Sequence, residues 1–292
     1  MLTDLGHRPL IVAAVTPLRD DGSRLDEAAI GPYAAFLESH GSDGAFVCGT
    51  TGEGINLTLD ERRRTARAFR AGLRGALIVH AGAQTTADTV ALASDASELG
   101  ADAVAVIPPP YFPLDDVALT AHFVAAARAC APLPFYCYAF AARSGYPLPV
   151  DVIRRIAESV NNLAGLKVSE SPFDRVEPYL GLGLPVLIGN EPLIAAGIAS
   201  GALGTVSGMA AAFPHVVRSA LDAADEPAMA RLRDLRGAME AGGQFIASAK
   251  HALGRRGVPI RPDMRPPLRP LTSAEADAFE AAADAYLEPA TA

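Results

Sequence analysis

The sequence lacks most of the features that mark secreted, membrane-bound or nucleic-acid-binding proteins. Its three cysteines, Cys48, Cys130 and Cys137, are odd in number and have neither metal-binding nor redox spacing, which indicates a reducing cytoplasm. No apolar run reaches the length of a signal peptide or a membrane span, so we expect a soluble cytoplasmic protein. The formal net charge of −8 comes without a basic stripe, so we expect no nucleic-acid partner.

Signatures of metal- and cofactor-dependent chemistry are also missing. The six histidines are scattered, and none forms the H-E-x-x-H or paired spacing that supplies zinc ligands. The phosphate loop G-x-x-x-x-G-K-[ST], the nucleophile elbow G-x-S-x-G and a glycine-rich dinucleotide fingerprint after the first apolar run are absent. We therefore expect neither a metal ion nor a cofactor.

Lysine is rare: only Lys167 and Lys250 occur among the 25 basic residues. Lys167 lies in the apolar, strand-like run Leu163–Val168. Burial can bring a lysine toward its neutral form, which attacks carbonyls to form a Schiff base, whereas arginine stays protonated. The alternative is a snorkelling lysine with its ammonium in water, and this segment alone leaves both open. For Lys250, in an amphipathic helical stretch, we expect a structural role.

Short apolar runs alternate with helical stretches, which predicts parallel βαβ units. The predicted strands are Leu10–Val15, Gly44–Cys48, Ala76–Ala81, Ala103–Ile107, Pro134–Tyr138, Leu163–Val168, Pro185–Ile188 and Gly204–Ser207. Their apolarity is continuous rather than alternating, which indicates burial of both faces. Eight such units in about 210 residues predict an α/β fold, a (β/α)8 TIM barrel over residues 1–224. A doubly wound open sheet is the alternative.

From residue 225 the pattern changes to consecutive helices. We expect residues 225–292 to form a C-terminal helical appendage, with a proline-rich connector at Val258–Pro270. Thr272 is the predicted start of a helix, since a threonine with a glutamate three residues later forms a capping box. Thr58 and Thr85 mark helix starts in the barrel in the same way.

In a TIM barrel the reactive side chains lie at the carboxyl ends of the strands. The second predicted strand is followed by Gly49–Gly54, where Thr50 and Thr51 offer hydroxyl and backbone N–H donors to a carboxylate. An ordinary glycine turn with threonine capping is the alternative interpretation.

Tyr138 ends the fifth predicted strand, next to the strand that carries Lys167. Neighbouring strands are about 4.8 Å apart, so the phenol and the amine can face one reacting atom. A nearby cation would help to lower the pKa of this tyrosine. Tyr136 points to the same side, and both tyrosines can be packing residues; the position at the strand end favours Tyr138.

Other strand ends supply further candidates. Prolines stiffen the loop after the fourth strand and hold Tyr111 at the rim. Arg143 follows the fifth strand, where a guanidinium can bind a carboxylate in bidentate fashion or form a surface ion pair. His80 and Glu191 end the third and seventh strands and are weaker candidates for the pocket.

These segments together resemble the dihydrodipicolinate synthase and N-acetylneuraminate lyase family of pyruvate-dependent class I aldolases, in order and over nearly the whole chain. The matching motifs are G-T-T-G-E at Gly49–Glu53, P-P-Y at Pro109–Tyr111, Y-x(4)-R-[TS]-G at Tyr138–Gly145, G-[IV]-K at Gly165–Lys167 and G-x-[IV]-S at Gly204–Ser207. The joint match is specific for mechanism and much less so for substrate.

The resemblance implies catalytic roles at the matching positions. Lys167 is expected to form an imine with pyruvate, or with a 2-oxo acid that contains its skeleton, and the protonated imine stabilises a carbanion. Tyr138 is expected to relay protons. Thr51 is expected to link it to Tyr111 of a neighbouring subunit, which implies a homo-oligomer, either a dimer or a tetramer.

The resemblance also implies a substrate-binding set and a range of substrates. Thr50 and Thr51 are expected to hold the pyruvyl carboxylate, with Arg143 and Val206 completing the site. Ala139 and Val168 stand where the family often has asparagine and an acidic residue. We favour a 2-keto-3-deoxy sugar acid as substrate; the alternatives are a 4-hydroxy-tetrahydrodipicolinate synthase and a non-catalytic relative that binds a 2-oxo acid.

Overall fold

The computed structural model describes residues 2–241 and 243–287, and eight parallel strands close into a barrel. The strands are β1 (Leu10–Ala13), β2 (Gly44–Val47), β3 (Ala76–His80), β4 (Ala103–Val106), β5 (Phe135–Ala139), β6 (Leu163–Val168), β7 (Val186–Ile188) and β8 (Gly204–Ser207). Each strand pairs with its neighbours along the chain, and β8 closes on β1 with Thr205 opposite Leu10. The predicted (β/α)8 barrel is confirmed, and the open sheet is excluded.

Helices alternate with these strands. They are α1 (Ile30–Ser39), α2 (Leu59–Gly72), α3 (Thr86–Glu98), α4 (Asp116–Ala129), α5 (Val150–Ser159), α6 (Glu177–Leu180), α7 (Ile194–Ala199) and α8 (Pro214–Ala223). The predicted starts of α2 and α3 are confirmed, because the hydroxyls of Thr58 and Thr85 accept the N–H groups of Glu61 and Asp88. No helix in the described parts of the chain is long and apolar enough to cross a membrane.

Both faces of the strands are buried, which accounts for their continuous apolarity. Along β1, Ile11 belongs to the cluster that fills the barrel, together with Phe46 and Leu187. The next residue, Val12, belongs to the cluster between the strands and the helices. Burying each such side chain stabilises the fold by about 1.5–3 kcal/mol.

After the barrel come three further helices, α9 (Glu226–Ala241), α10 (Phe245–Arg255) and α11 (Ser273–Ala283). The chain turns at Ala224, which has left-handed backbone geometry (φ 49°), between α8 and α9. α9 packs against both α8 and α11, so this region is joined to the barrel. Thr272 and Glu275 form the predicted capping box at the start of α11.

A buried ion pair ties this C-terminal region to the loop after β2. Lys250 Nζ in α10 lies 2.5 Å from Glu53 Oε1, and both side chains are inaccessible to water. Nζ also donates to the Asp263 carbonyl at 2.7 Å, and Glu53 Oε2 accepts the Arg265 N–H at 2.7 Å. The position of Lys250 agrees with the structural role expected for it.

We expect Lys250→Met to lower the free energy of unfolding by about 3–5 kcal/mol, because it leaves the Glu53 carboxylate buried without its counter-charge. The double variant Glu53→Gln/Lys250→Met removes both charges and should recover much of this loss. Urea unfolding followed by circular dichroism measures both. A double variant as unstable as the sum of the two single variants would contradict the coupling.

Candidate active site

Lys167 and Tyr138 stand side by side at the carboxyl end of the barrel. In the register of β5 and β6 the two residues are direct partners. The pairing confirms that adjacent strands bring the amine and the phenol together, as their places at the strand ends predicted.

The Lys167 amine is buried against two aromatic rings. Its Nζ lies 4.0 Å from the ring centroid of Phe46 and 4.1 Å from that of Tyr138, and the residue is 4% exposed. This position differs from that of a snorkelling lysine, whose ammonium reaches water. Burial lowers the pKa of Lys167 to about 7, although the charge of Glu191 acts in the opposite direction. The lowered pKa makes the neutral, nucleophilic form of the amine accessible at neutral pH.

Tyr138 is held as a protonated phenol. Its Oη lies 3.4 Å from Thr50 Oγ1, at the long end of hydrogen-bonding distance. Burial raises the pKa of Tyr138 to about 12, and this outweighs the opposite effects of Thr50, Ser169 and Arg143. From the sequence we expect a nearby cation to lower the pKa of Tyr138. Arg143 acts in this direction, but burial has the larger effect. At neutral pH the phenol can donate a proton to a substrate oxygen.

The loop Gly49–Gly54 is tightly folded. Cys48 and Glu53, on either side of the two threonines, both have left-handed backbone geometry, with φ of 58° and 55°. A Cβ at Gly54 would lie 1.8 Å from the Cys48 carbonyl oxygen, so only glycine fits there. The tight fold fixes the directions of the hydroxyls that the loop carries.

The two threonines of this loop face different partners. The hydroxyl within reach of Tyr138 belongs to Thr50. The buried Thr51 faces the turn after β8, where a Cβ at Gly208 would lie 3.1 Å from the Thr51 hydroxyl. The link from Thr51 to Tyr138 that the resemblance implies remains a prediction, since the contact seen here is made by Thr50.

A cavity of about 500 Å³ opens at this end of the barrel. From the strand ends it is lined by Thr50, His80, Ile107 and Arg143. The Arg143 guanidinium also lies 5.8 Å from the ring centroid of Phe140. The cavity therefore brings together residues from the ends of four different strands, which are far apart in the sequence.

The other wall of this cavity comes from the C-terminal region, which the sequence predicted only as an appendage. The side chains are Phe245 and Ile246 at the start of α10, and Met264 and Leu268 in the connector. The only signal for them in the sequence was apolarity, which is equally typical of packing residues. The C-terminal region is thus part of the site.

The buried Glu191, whose charge acts on the Lys167 amine, forms a second ion pair. Its Oε1 accepts from the Ser207 hydroxyl and from the Gly208 and Met209 N–H groups, at 2.8, 2.8 and 3.1 Å. Its Oε2 lies 2.7 Å from Arg236 Nη1 of α9. The Glu191 carboxylate therefore fixes the turn after β8.

Of the predicted site residues, Thr50 and Arg143 line this cavity, whereas the lining does not include Lys167, Tyr138, Thr51, Tyr111 or Val206. Tyr111 is 80% exposed, next to the 70% exposed Phe112, so no contact within its own chain places it at Lys167. Val206 points into the barrel, where it belongs to the same apolar cluster as Tyr138 and Leu187.

Among the residues that the structure describes, no three or more His, Cys, Asp or Glu side chains are grouped so that they could hold a metal ion. The three cysteines are buried and unpaired.

Comparison with known proteins gives a consistent result. The model of the dihydrodipicolinate synthetase family matches residues 7–286. An uncharacterized DapA-like lyase of Halobacterium salinarum is 35% identical, with 95% of this chain and 93% of that protein aligned. A 4-hydroxy-tetrahydrodipicolinate synthase of Corynebacterium aurimucosum is 31% identical over 92% and 90% of the two chains. The Proteus mirabilis N-acetylneuraminate lyase structure superposes with a TM-score of 0.84 at 28% identity, covering 95% of this chain and 98% of that one.

The lowered pKa of Lys167 can be measured directly, because the chain has only two lysines. In protein labelled with 13C at lysine Cε, we expect one of two resonances to titrate with a midpoint near pH 7, as the neutral amine forms above the pKa. NMR of Lys167→Arg assigns it by its disappearance. A Lys167 resonance that keeps its ammonium shift up to pH 9 would contradict the effect of burial.

Proposed function

Because this chain belongs to the dihydrodipicolinate synthetase family of class I aldolases and lyases, we propose that it forms or cleaves a carbon–carbon bond through a Schiff base on Lys167. The observation that carries the proposal is the position of the Lys167 amine. It is buried between two aromatic rings, has a pKa of about 7 and is paired in register with Tyr138. A non-catalytic relative would have no need for such an amine.

The substrate of the proposed step is pyruvate or a 2-oxo acid that contains its skeleton. The neutral Lys167 amine adds to the C2 carbonyl, and loss of water leaves an imine. Once protonated, the imine accepts the electron pair of the C3–C4 bond as that bond breaks and the aldehyde forms. The C4 hydroxyl proton is relayed to solvent through Tyr138 Oη and the Thr50 hydroxyl, which lie 3.4 Å apart. In the reverse direction Tyr138, still protonated at neutral pH, donates a proton to the aldehyde oxygen.

The pyruvyl carboxylate needs donors close to the imine. We place it on the loop after β2, with the hydroxyl and N–H groups of Thr50 and Thr51 as donors. The support is that the Thr50 hydroxyl is near Tyr138 Oη and that Thr50 lines the cavity. Val206 contributes the apolar floor below this position.

For the aldehyde partner we keep the preference for a 2-keto-3-deoxy sugar acid. Arg143 lines the cavity, where a guanidinium can bind the carboxylate of either a sugar acid or aspartate semialdehyde. This observation keeps 4-hydroxy-tetrahydrodipicolinate synthase as the second candidate activity. The buried, unpaired cysteines support a reducing compartment, and we propose the cytoplasm.

We further propose a homo-oligomer, a dimer or a tetramer, in which Tyr111 enters the site of a neighbouring subunit. Tyr111 and Phe112 form an exposed aromatic pair, with ring centroids 4.8 Å apart. Ile55, also exposed, lines the cavity. Aromatic residues of this kind are enriched where protein surfaces associate.

The Schiff base predicts a covalent adduct. Sodium borohydride in the presence of pyruvate should add one reduced pyruvyl group, located on Lys167 by peptide mass spectrometry, and Lys167→Arg should abolish both the adduct and turnover. Lys250→Arg is the matched control, since that amine is held by Glu53. No adduct under conditions that trap a known class I aldolase, or an adduct on Lys250, would contradict the mechanism.

Intersubunit complementation tests the role of Tyr111. Lys167→Arg subunits supply a normal Tyr111, and Tyr111→Phe subunits supply a normal Lys167, so a hybrid dimer contains one complete site. After denaturation and refolding as an equal mixture, we expect about a quarter of wild-type turnover, well above either variant alone. Turnover no greater than the average of the two variants would show that Tyr111 does not act across an interface.

A further inference from the structure

His80, at the end of β3, lies against the side chains that surround the reactive amine. Its ring centroid is 5.9 Å from that of Phe46 and 6.0 Å from that of Tyr138, to which it is nearly perpendicular. Both of these rings flank Lys167 Nζ. The imidazole also lines the cavity. The proposed reaction described above leaves His80 without a role.

The ring is fixed from its other side. His80 Nδ1 lies 3.1 Å from the Cys48 carbonyl oxygen, which can only accept, and 3.5 Å from Arg62 Nη2, which can only donate and already donates to the His80 carbonyl oxygen at 2.6 Å. The shorter contact, to Cys48, favours the tautomer with the hydrogen on Nδ1 and a lone pair on Nε2. The buried Arg62 guanidinium donates to the carbonyl oxygens of His80 and Gly82, at 2.6 and 2.9 Å. Burial and the charges of Arg62 and Lys167 lower the pKa of His80 well below its usual value, which keeps the ring neutral.

The free nitrogen is buried and has no hydrogen-bond partner among the described residues. A buried acceptor without a donor costs about 1–3 kcal/mol, so a ligand that supplies a donor gains that free energy. The neighbouring Gly82 also lines the cavity, and a Cβ there would lie 2.9 Å from Nε2. A side chain at this position would therefore press against the free nitrogen.

The charged groups around His80 determine which kind of hydrogen-bond donor suits Nε2. The two carboxylates of the cavity wall are already paired, Glu53 with Lys250 and Glu240 with Arg236. The charges near the imidazole are the cations Arg62 and Lys167. A neutral hydroxyl therefore suits Nε2 better than an ammonium group, which these cations would repel.

We propose that His80 Nε2 accepts a hydrogen bond from a hydroxyl of the aldehyde-derived part of the substrate, so that the site selects hydroxylated aldehydes and the sugar acids made from them. This inference rests on the proposed aldol chemistry at Lys167 and adds a residue that selects its second substrate. His80 is a specificity-determining residue in this scheme, and Lys167 and Tyr138 remain the catalytic groups.

The test compares two three-carbon aldehydes, glyceraldehyde and propionaldehyde, as partners of pyruvate. The readout is the ratio of their kcat/KM values, which we expect to favour glyceraldehyde in the wild type. His80→Asn keeps a donor near Nδ1 but has no atom at Nε2, and should lower this ratio about 10- to 100-fold. His80→Gln places an amide oxygen near Nε2 and should restore part of the ratio.

Borohydride trapping of pyruvate on the same variants separates the two claims. If Lys167 is trapped and the ratio of the two kcat/KM values falls in His80→Asn but recovers in His80→Gln, the inference stands. If Lys167 is trapped and the ratio is unchanged in His80→Asn, or falls equally in both variants, the inference is wrong while the Schiff-base chemistry stands. If the wild type is not trapped, the proposed function itself fails. Thermal unfolding of each variant confirms that the compared proteins are folded.

Discussion

Removal of the Lys167 amine from water disfavours its charged form, and this is the constraint on which the site depends. The residues around Nζ exclude water from it. The rings of Phe46 and Tyr138 lie about 4 Å from Nζ and occupy space that water would otherwise fill. This burial lowers the pKa of the amine to about 7, so that its neutral form is accessible at neutral pH. The same burial keeps the Tyr138 phenol protonated, so one environment prepares a nucleophile and a proton donor together.

The C-terminal helices contribute to this environment through two ion pairs, of which the one between Lys250 and Glu53 is fully buried. Lys250 binds Glu53 in the loop that carries the threonines, and Arg236 binds Glu191 at the end of β7. Each pair joins a helix of the C-terminal region to a strand end of the barrel. With Phe245, this region makes a wall of the cavity, so the site needs residues from both parts of the chain.

The sequence predicted the barrel, and the pairing of Lys167 with Tyr138, because both depend on local patterns: apolar runs, capping residues and places at strand ends. It could not predict contacts between distant residues, such as the hydrogen bond between Glu53 and Lys250, which are 197 positions apart. Nor could it predict which threonine faces Tyr138. That choice depends on the left-handed geometry of Cys48 and Glu53, residue types for which such geometry is uncommon.

The central claim is that Lys167 forms an imine with the C2 carbon of pyruvate at the carboxyl end of the barrel. A crystal structure of the wild-type protein soaked with pyruvate tests it most directly. The account predicts continuous electron density from Lys167 Nζ to C2, with the carboxylate on the loop that carries Thr50 and Thr51. Pyruvate bound without a covalent bond, or density attached elsewhere while Lys167 stays free, would contradict it.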